Sequence, residues 1–273
     1  KSPVLGDSDF GAAVAVGSFD MKRLALGGGA QISDEWAFRL DGSYQEEDGF
    51  ADRAEETREV LAGSLLYQPS ADLSVRFSMD YADVDAAAFW GTPLIDGKAS
   101  RSHRQNNYNF ADGKVVFEDL WSRMHIEWNL SDNITFRNDT YILDASREWQ
   151  NLEEYSHNAI TNQIDRAFYL GIVHEEDQIG TRFDFLIDTE VAGMANSLSI
   201  GAEANDIELD YLNNFSTGGF GVGDSVPISD FNPGATPAGS IPTILDYQTE
   251  TQQAAIFIDN VLQLSDQLSL VLG

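Results

Sequence analysis

The stretch Glu35-Trp36-Ala37-Phe38-Arg39-Leu40-Asp41-Gly42-Ser43-Tyr44-Gln45-Glu46 separates into two sets of opposite chemistry when every second residue is taken together. Trp36, Phe38, Leu40, Gly42 and Tyr44 fall on one side of an extended strand, and Ala37, Arg39, Asp41, Ser43 and Gln45 on the other. One face is greasy and the other wet. Trp36 and Tyr44 bracket the greasy stripe and stand about 26 Å apart at roughly 3.3 Å per residue. On a tilted strand this is close to the apolar band of a transmembrane β-barrel, which is about 25 Å tall and has an aromatic girdle at each edge. A half-buried soluble strand alternates as well, so the rest of the chain has to decide between lipid and a protein core.

Composition narrows the classes. The chain has 273 residues, 42% hydrophobic and 11% aromatic, which is enough apolar material for a sizeable core. It has no cysteine, and therefore neither a disulfide framework nor a thiolate site. No run of about 18 apolar residues occurs, which excludes a helical membrane span. The opening Lys1-Ser2-Pro3-Val4-Leu5-Gly6 carries no apolar signal core, so any export signal is expected to have been removed or to lie outside this sequence. With 16 Lys+Arg against 45 Asp+Glu the net charge is -29, and such a polyanion repels DNA and RNA.

The theme of the opening stretch recurs along the chain. Ala12, Val14 and Val16 share a face, as do Leu24, Leu26 and Ala30, then Leu61, Leu65 and Tyr67, then Leu73, Val75, Phe77, Met79 and Tyr81. Further on come Leu120, Met124, Ile126, Trp128 and Leu130, then Phe183, Phe185 and Ile187, then Leu198, Ile200, Ala202 and Ala204. Ala254, Ile256, Ile258, Leu262 and Leu264 make the last full set, before a strand begun by Leu268, Leu270 and Leu272. Two places resist this reading. Residues 134–147 put Ile134, Phe136 and Ile142 on one parity but Tyr141 and Leu143 on the other, and beyond Asn205 the parity slips to Ile207, Leu209 and Tyr211, which suggests a β-bulge.

Tight turns at residues 32–34, 68–71, 131–133 and 265–267 alternate with longer connections, and three of those are expected to be long loops: residues 83–112, 148–163 and 213–245. About ten or eleven antiparallel strands follow one another with no helical segment between them, with one plain end and one elaborated end. Short turns at one rim and long loops at the other are the pattern of an outer-membrane barrel. Trp36, Tyr44, Tyr67, Tyr81 and Trp128 are the expected girdle residues. Because an open sheet cannot span a bilayer, the chain is expected to be part of a larger barrel.

Sites for chemistry do not stand out. His103, His125, His157 and His174 lack metal-ligand spacing, and Gly27-Gly28-Gly29 sits within a strand, where it eases curvature or close packing rather than cradling a phosphate. Asp80, Asp83 and Asp85 fall short of the oxygen count that calcium takes. Among 45 acids no carboxylate pair is singled out for hydrolysis. The expectation is a protein that is not an enzyme, with no cofactor and no bound metal of its own.

The runs Gly17-Ser18-Phe19-Asp20, Trp36-Ala37-Phe38-Arg39-Leu40, Asp48-Gly49-Phe50-Ala51-Asp52 and Phe89-Trp90-Gly91-Thr92-Pro93-Leu94 resemble the barrel of TonB-dependent outer-membrane receptors, in particular the ferric-siderophore branch. Glu250-Thr251-Gln252-Gln253-Ala254 and residues 264–273 resemble middle barrel strands of the same receptors. The resemblance implies that residues 1–273 are a partial barrel domain, roughly the first half of a 22-stranded barrel with a plugged lumen, the plug lying outside this sequence. It implies uptake of a ferric siderophore across the outer membrane of a Gram-negative bacterium. The implied partners are outer-membrane lipid, lipopolysaccharide and the TonB–ExbB–ExbD complex, the last reached through the plug. Candidate ligand contacts in the outer loops are Phe89, Trp90, Arg101, His103, Arg104, Tyr108, Trp149 and Tyr155. The arginines and His103 suit an anionic chelate, and the rings suit catecholate or cationic groups. The plainer reading is that Trp90 and Tyr108 pack the loops or the girdle, and that the arginines pair with nearby acids or lipopolysaccharide phosphates. Uptake of cobalamin, haem or a sugar is the near alternative, and a soluble acidic β-rich enzyme or secreted adhesin the distant one.

Overall fold

The computed structural model describes residues 1–218, 221, 223–236 and 242–273. Residues 219, 220, 222 and 237–241 of the expected 213–245 loop lie outside the described residues. Among the described residues there is no α-helix, and twelve strands form one antiparallel sheet. They are β1 (Ser8–Val16), β2 (Lys22–Ser33), β3 (Trp36–Glu47), β4 (Glu56–Tyr67), β5 (Leu73–Asp85), β6 (Lys114–Ser131), β7 (Ile134–Asn158), β8 (Gln163–Val191), β9 (Met194–Asn213), β10 (Gly223–Pro227), β11 (Ile244–Ser265) and β12 (Leu268–Leu272). The sheet is a meander from β1 through β9 to β11 and β12, each strand bonded to the next, with β10 returning to pair with β8. It is not closed: β1 and β12 are its two outer strands.

The register carries one face of each strand onto the same face of its neighbour. Trp36 lies opposite Tyr67, Tyr67 opposite Val75, Val75 opposite Ile126, Ile126 opposite Asn138, Asn138 opposite Phe183, and Phe183 opposite Ala202. This is the greasy parity of each strand, and its side chains are exposed: Leu40, Leu61, Met79, Ile142, Ile179 and Ile256 among them. The other parity holds the shielded polar groups, with Arg39 8% and Asp184 7% exposed. Arg39 and Asp184 are covered while large aliphatic side chains of the opposite parity are uncovered, the inverse of a soluble core. The greasy face is the outside and the polar face the inside, as in a transmembrane barrel. An open apolar depression of about 550 Å³, bounded by Phe38, Leu40, Phe77, Met79, Met124 and Ile142, lies on the outer face where Gly63 and Ser122 leave room.

The connections sort by end. Residues 34–35, 68–72, 132–133, 192–193 and 266–267 turn the chain at one rim. At the other rim lie residues 86–113, the tip 159–162 of a tall β7–β8 hairpin, and the described residues between β9 and β11, β10 among them. Trp36, Tyr67 and Trp128 stand near the short-turn rim, with the Trp36 and Tyr67 rings stacked at 4.4 Å, while Tyr44 and Tyr81 stand toward the other.

Three expectations need correction. Residues 148–163 are not a loop: β7 continues to Asn158 and β8 starts at Gln163, so Trp149 and Tyr155 are strand residues. Above the apolar band the loops pack on the hairpin, and no single greasy side marks the strand in the sequence. No bulge follows Asn205 either, since β8 and β9 keep one register from Ile172↔Asn213 to Val191↔Met194. The parity slip is a change of side: below it β9 turns Ile200 and Ala204 outward, and above it turns Asp206, Glu208 and Asp210 outward and Ile207, Leu209 and Tyr211 inward. The same inversion explains the mixed parity of β7, where Ile142 faces out and Tyr141 and Leu143 face in. Finally, the 213–245 segment is not all loop, because β10 lies within it and β11 begins at Ile244, which brings the strands to twelve rather than ten or eleven.

Candidate functional site

The inner wall has two zones. Its lower part is a set of ion pairs between neighbouring strands, Arg137 with Asp184 at 2.6 Å, Arg182 with Glu203 at 3.7 Å and Arg123 with Asp80, beside a hydrogen bond between His125 and Asp139 at 2.7 Å. Arg39 is the hub nearest β1, bonded to Asp41 at 2.6 Å and to Asp9 at 2.7 Å. Gly27 makes this hub possible, because a Cβ there would stand 2.0 Å from the Asp41 carboxylate. The glycine run thus serves close packing inside a strand. Asp80 faces inward to Arg123, whereas Asp83 and Asp85 share the outward parity of Tyr81, so the three acids do not converge.

Trp121, Tyr141 and Phe257 stand among these charges, and higher on the wall the rings join into a connected series. Phe117, Arg147, His174, Tyr211 and Tyr247 occupy one cross-strand row on β6, β7, β8, β9 and β11, and Trp149 stands one pleat above it. Phe117 meets Trp149 edge-on at 5.5 Å, Trp149 meets His174 at 5.2 Å, His174 lies 4.9 Å from Tyr211, and Tyr211 stacks on Tyr247 at 4.8 Å. Arg147 lies over the Phe117 ring at 5.6 Å and is neutralised by Asp119 at 2.5 Å. The result is a continuous aromatic ribbon across five strands. Leu143, Ile207 and Leu209 lie on the same inward parity below it.

Over this wall the loops are welded rather than loose. Arg166 at the top of β8 is 2% exposed and holds Asp224 of β10 with two bonds of 2.6 Å, while Nη1 donates to the carbonyls of Tyr108 and Pro233, each at 2.9 Å. Its guanidinium also covers the Phe110 ring at 4.8 Å. Asn109 is fully buried: Oδ1 accepts from the backbone N–H of Phe110 and Leu152, and Nδ2 donates to the Ala88 carbonyl. Arg53 donates to the carbonyls of Asn107 and Asn109, drawing in the connection between β3 and β4. Tyr108, Ile164 and Val226 form the apolar centre of the cap.

The structure disperses the eight expected contacts. Tyr108 is fully buried, its hydroxyl donating to the Ile228 carbonyl at 2.8 Å and its ring stacked on Phe231 at 4.9 Å, which is packing. Tyr155 packs 6.2 Å from Tyr108, and burial raises both phenols above their ordinary pKa. Arg104 lies over Phe50 at 5.6 Å, and His103 Nδ1 is 3.4 Å from Ser229 Oγ. Arg101 and Trp90 are exposed and Phe89 is half-buried. Trp149 belongs to the inner-wall ribbon. The remaining ribbon residues were missed because Phe117, His174, Tyr211 and Tyr247 are far apart in sequence; the parity slip at Ile207, Leu209 and Tyr211 was their one visible trace.

No family model and no curated protein matches the sequence. Solved structures match closely in shape. The pyoverdine outer-membrane receptor FpvA from Pseudomonas aeruginosa PAO1, bound to pyoverdine, superimposes with a TM-score of 0.83 at 14% identity over 99% of this chain and 40% of its own. The ferric-catecholate import receptor Fiu from E. coli K12 gives 0.80 at 16% identity over 97% and 43%, and BauA, the ferric preacinetobactin receptor from Acinetobacter baumannii, gives 0.75 at 12% identity over 93% and 37%. The chain therefore spans about two fifths of the length of the structures it matches. At these identities the likeness speaks for architecture: the chain has the barrel fold of the TonB-dependent siderophore receptors.

Proposed function

We propose that this chain is part of the barrel of an outer-membrane receptor that takes up a ferric siderophore by TonB-dependent transport. The observation that carries the proposal is the inversion of polarity with height. Outward side chains are apolar on the lower strands and acidic above, while inward ones carry ion pairs and rings at both levels. A wall of that kind suits lipid outside, a water-filled passage inside and a ligand at the mouth.

On this reading the protein performs no covalent chemistry. The loops and upper wall hold an iron chelate, Arg101 and Trp90 remain open for a first encounter, and the energy for release comes from the TonB–ExbB–ExbD complex through a plug outside this sequence. Lipopolysaccharide surrounds the long-loop rim. Two measurements test the proposal. On cell fractionation the parent protein enters the outer membrane and requires detergent, and under iron limitation its deletion removes growth on at least one ferric chelate. Recovery in a soluble fraction, or growth on every ferric chelate in a broad panel after deletion, would refute it.

A further inference from the structure

We infer that the outer face of β7, β8, β9 and β11 is a docking surface for a membrane lipid whose headgroup ends in a primary ammonium. Its acyl chains lie in a depression below Asp206, and its ammonium sits among Asp144, Asp177, Glu208 and Glu250. The inference rests on the facing of the strands and goes beyond uptake, because it concerns the lipid around the barrel and not the cargo within it.

The four acids stand opposite one another on four neighbouring strands: Asp144 faces Asp177, Asp177 faces Glu208, and Glu208 faces Glu250. All four are exposed on the outward parity. Like charges in directly opposed positions destabilise a pair of strands, and here three such pairs run in succession. Glu175 opposite Asp210 adds a fourth two residues higher. The chain supplies no relief, since the outward positions over residues 138–148, 173–183, 200–212 and 248–258 hold no Lys or Arg. Among the described residues Asp144, Asp177 and Glu208 make neither a hydrogen bond nor an ion pair. The compensating positive charge therefore comes from outside the chain.

What lies beneath the row narrows its source. Four residues toward the short-turn rim, Thr140, Thr181, Ala204 and Ala254 make one cross-strand row of small side chains. With Ile179 they floor an open depression of about 740 Å³ edged by Asp206 and Gln252. That floor belongs to the apolar band, where hydrocarbon is the solvent, while the acids stand at the level of the headgroups. A hollow for chains directly below a row of carboxylates is the complement of one amphiphile with a cationic head. Among the described residues no three acids or histidines gather to hold a metal ion. Carboxylates spaced one strand apart, about 4.8 Å, suit an ammonium with its three N–H donors better than a chelated cation, which takes six to eight oxygens. Phosphate alone would be repelled. A lipid seated here stands between the acids and an anionic leaflet.

The test is lipid competition. The parent protein, purified in neutral detergent, is given an equimolar mixture of phosphatidylethanolamine, phosphatidylcholine and phosphatidylglycerol with matched acyl chains, and the lipid it retains is measured by native mass spectrometry. Wild type is compared with Glu208→Gln/Glu250→Gln, which discharges the row, and with Ala204→Trp, which fills the depression. Folding of each is checked by mobility on an unheated gel. The wild type should retain the ethanolamine lipid about tenfold over the glycerol lipid, as charge complementarity at a membrane surface provides. The double variant should fold normally, because opposed charges are relieved, and should lose the preference. Ala204→Trp should retain less of the ethanolamine lipid. Equal retention of all three lipids by the wild type would overturn the inference, as would a preference unchanged in the double variant or retention unchanged in Ala204→Trp. Glycerol-lipid retention that rises to the ethanolamine level with magnesium and falls with EDTA would assign the row to metal-bridged phosphate and overturn it too. Unfolding of the double variant would show that the acids hold the sheet and not a lipid.

Discussion

Arg166 and Asp224 meet through two parallel bonds of 2.6 Å although 58 positions of chain separate them, and the pair reinforces the backbone pairing of β10 with the top of β8. Arg166 is the shielded partner, with its side chain 1% exposed against 48% for Asp224. Removing the exposed acid leaves a buried cation with two backbone carbonyls and a ring.

Asp224→Asn should therefore loosen the cap without unfolding the barrel. Breaking a fully buried pair costs about 3–5 kcal/mol, and the exposure of Asp224 reduces this to about 2 kcal/mol. If a protease cuts residues 223–236 through local opening, that is a cleavage rate up by about 30-fold. Limited proteolysis in detergent checks it, and unchanged cutting would show that the pair does not hold the strap.

Asn109→Ala should free the loop 86–113. The side chain of Asn109 makes bonds at Ala88, Phe110 and Leu152, and its loss strands two buried backbone N–H groups. At about 1–3 kcal/mol for a stranded group, hydrogen exchange at Phe110 and Leu152 should rise by at least tenfold. Exchange in β3 to β5 should stay as it was.

Acid should release β10 in a defined window. Hydrogen bonds from Ser225 and Asn158 hold the Asp165 carboxyl below its ordinary 3.8. A depressed carboxyl contributes stability above its unfolded pKa and loses it as pH falls through the folded value, so the contact is intact at neutral pH and weakens below about pH 3.8. Asp165→Asn should flatten the pH dependence of β10 protection, measured by hydrogen exchange after brief exposure to each pH.

Facing should decide whether a new charge is tolerated. Phe77 points outward at mid-height, whereas Ser74 of the same strand points inward and lies opposite Glu127. Phe77→Arg should cost about 3 kcal/mol, as a cation on the lipid face near mid-depth does, and reduce folded protein in the outer membrane. Ser74→Arg gains an acid and should assemble normally. Equal tolerance at both positions would contradict the assignment of faces.

What was legible in the sequence follows from water. Where lipid and lumen face each other across one strand, as at Trp36 to Tyr44 or Leu73 to Tyr81, alternation is strong and the strands were read correctly. Above the apolar band the upper β7–β8 hairpin is covered by loops distant in sequence, so it carries no such contrast and read as a loop. The inversion at Asp206 read as a bulge because a strand that exchanges its wet and dry sides looks like one that gains a residue. The Arg166–Asp224 clasp left no trace, since nothing local distinguishes one arginine among polar neighbours. Tyr108 illustrates the limit for sites: an aromatic in a loop beside arginines suggests ligand contact, and only tertiary packing shows it filled by Phe231.

The central claim is that the outward parity touches lipid up to a sharp level and water above it. With no native cysteine in the chain, single cysteines can be placed on β9 at Leu198, Ile200, Ala202, Ala204, Asp206 and Glu208, spin-labelled, and their collision rates with oxygen and with a water-soluble nickel chelate compared in membranes. The account predicts oxygen-dominated collisions through Ala204 and a switch to the nickel chelate from Asp206. Nickel access along the whole series, or burial from both reagents, would contradict it.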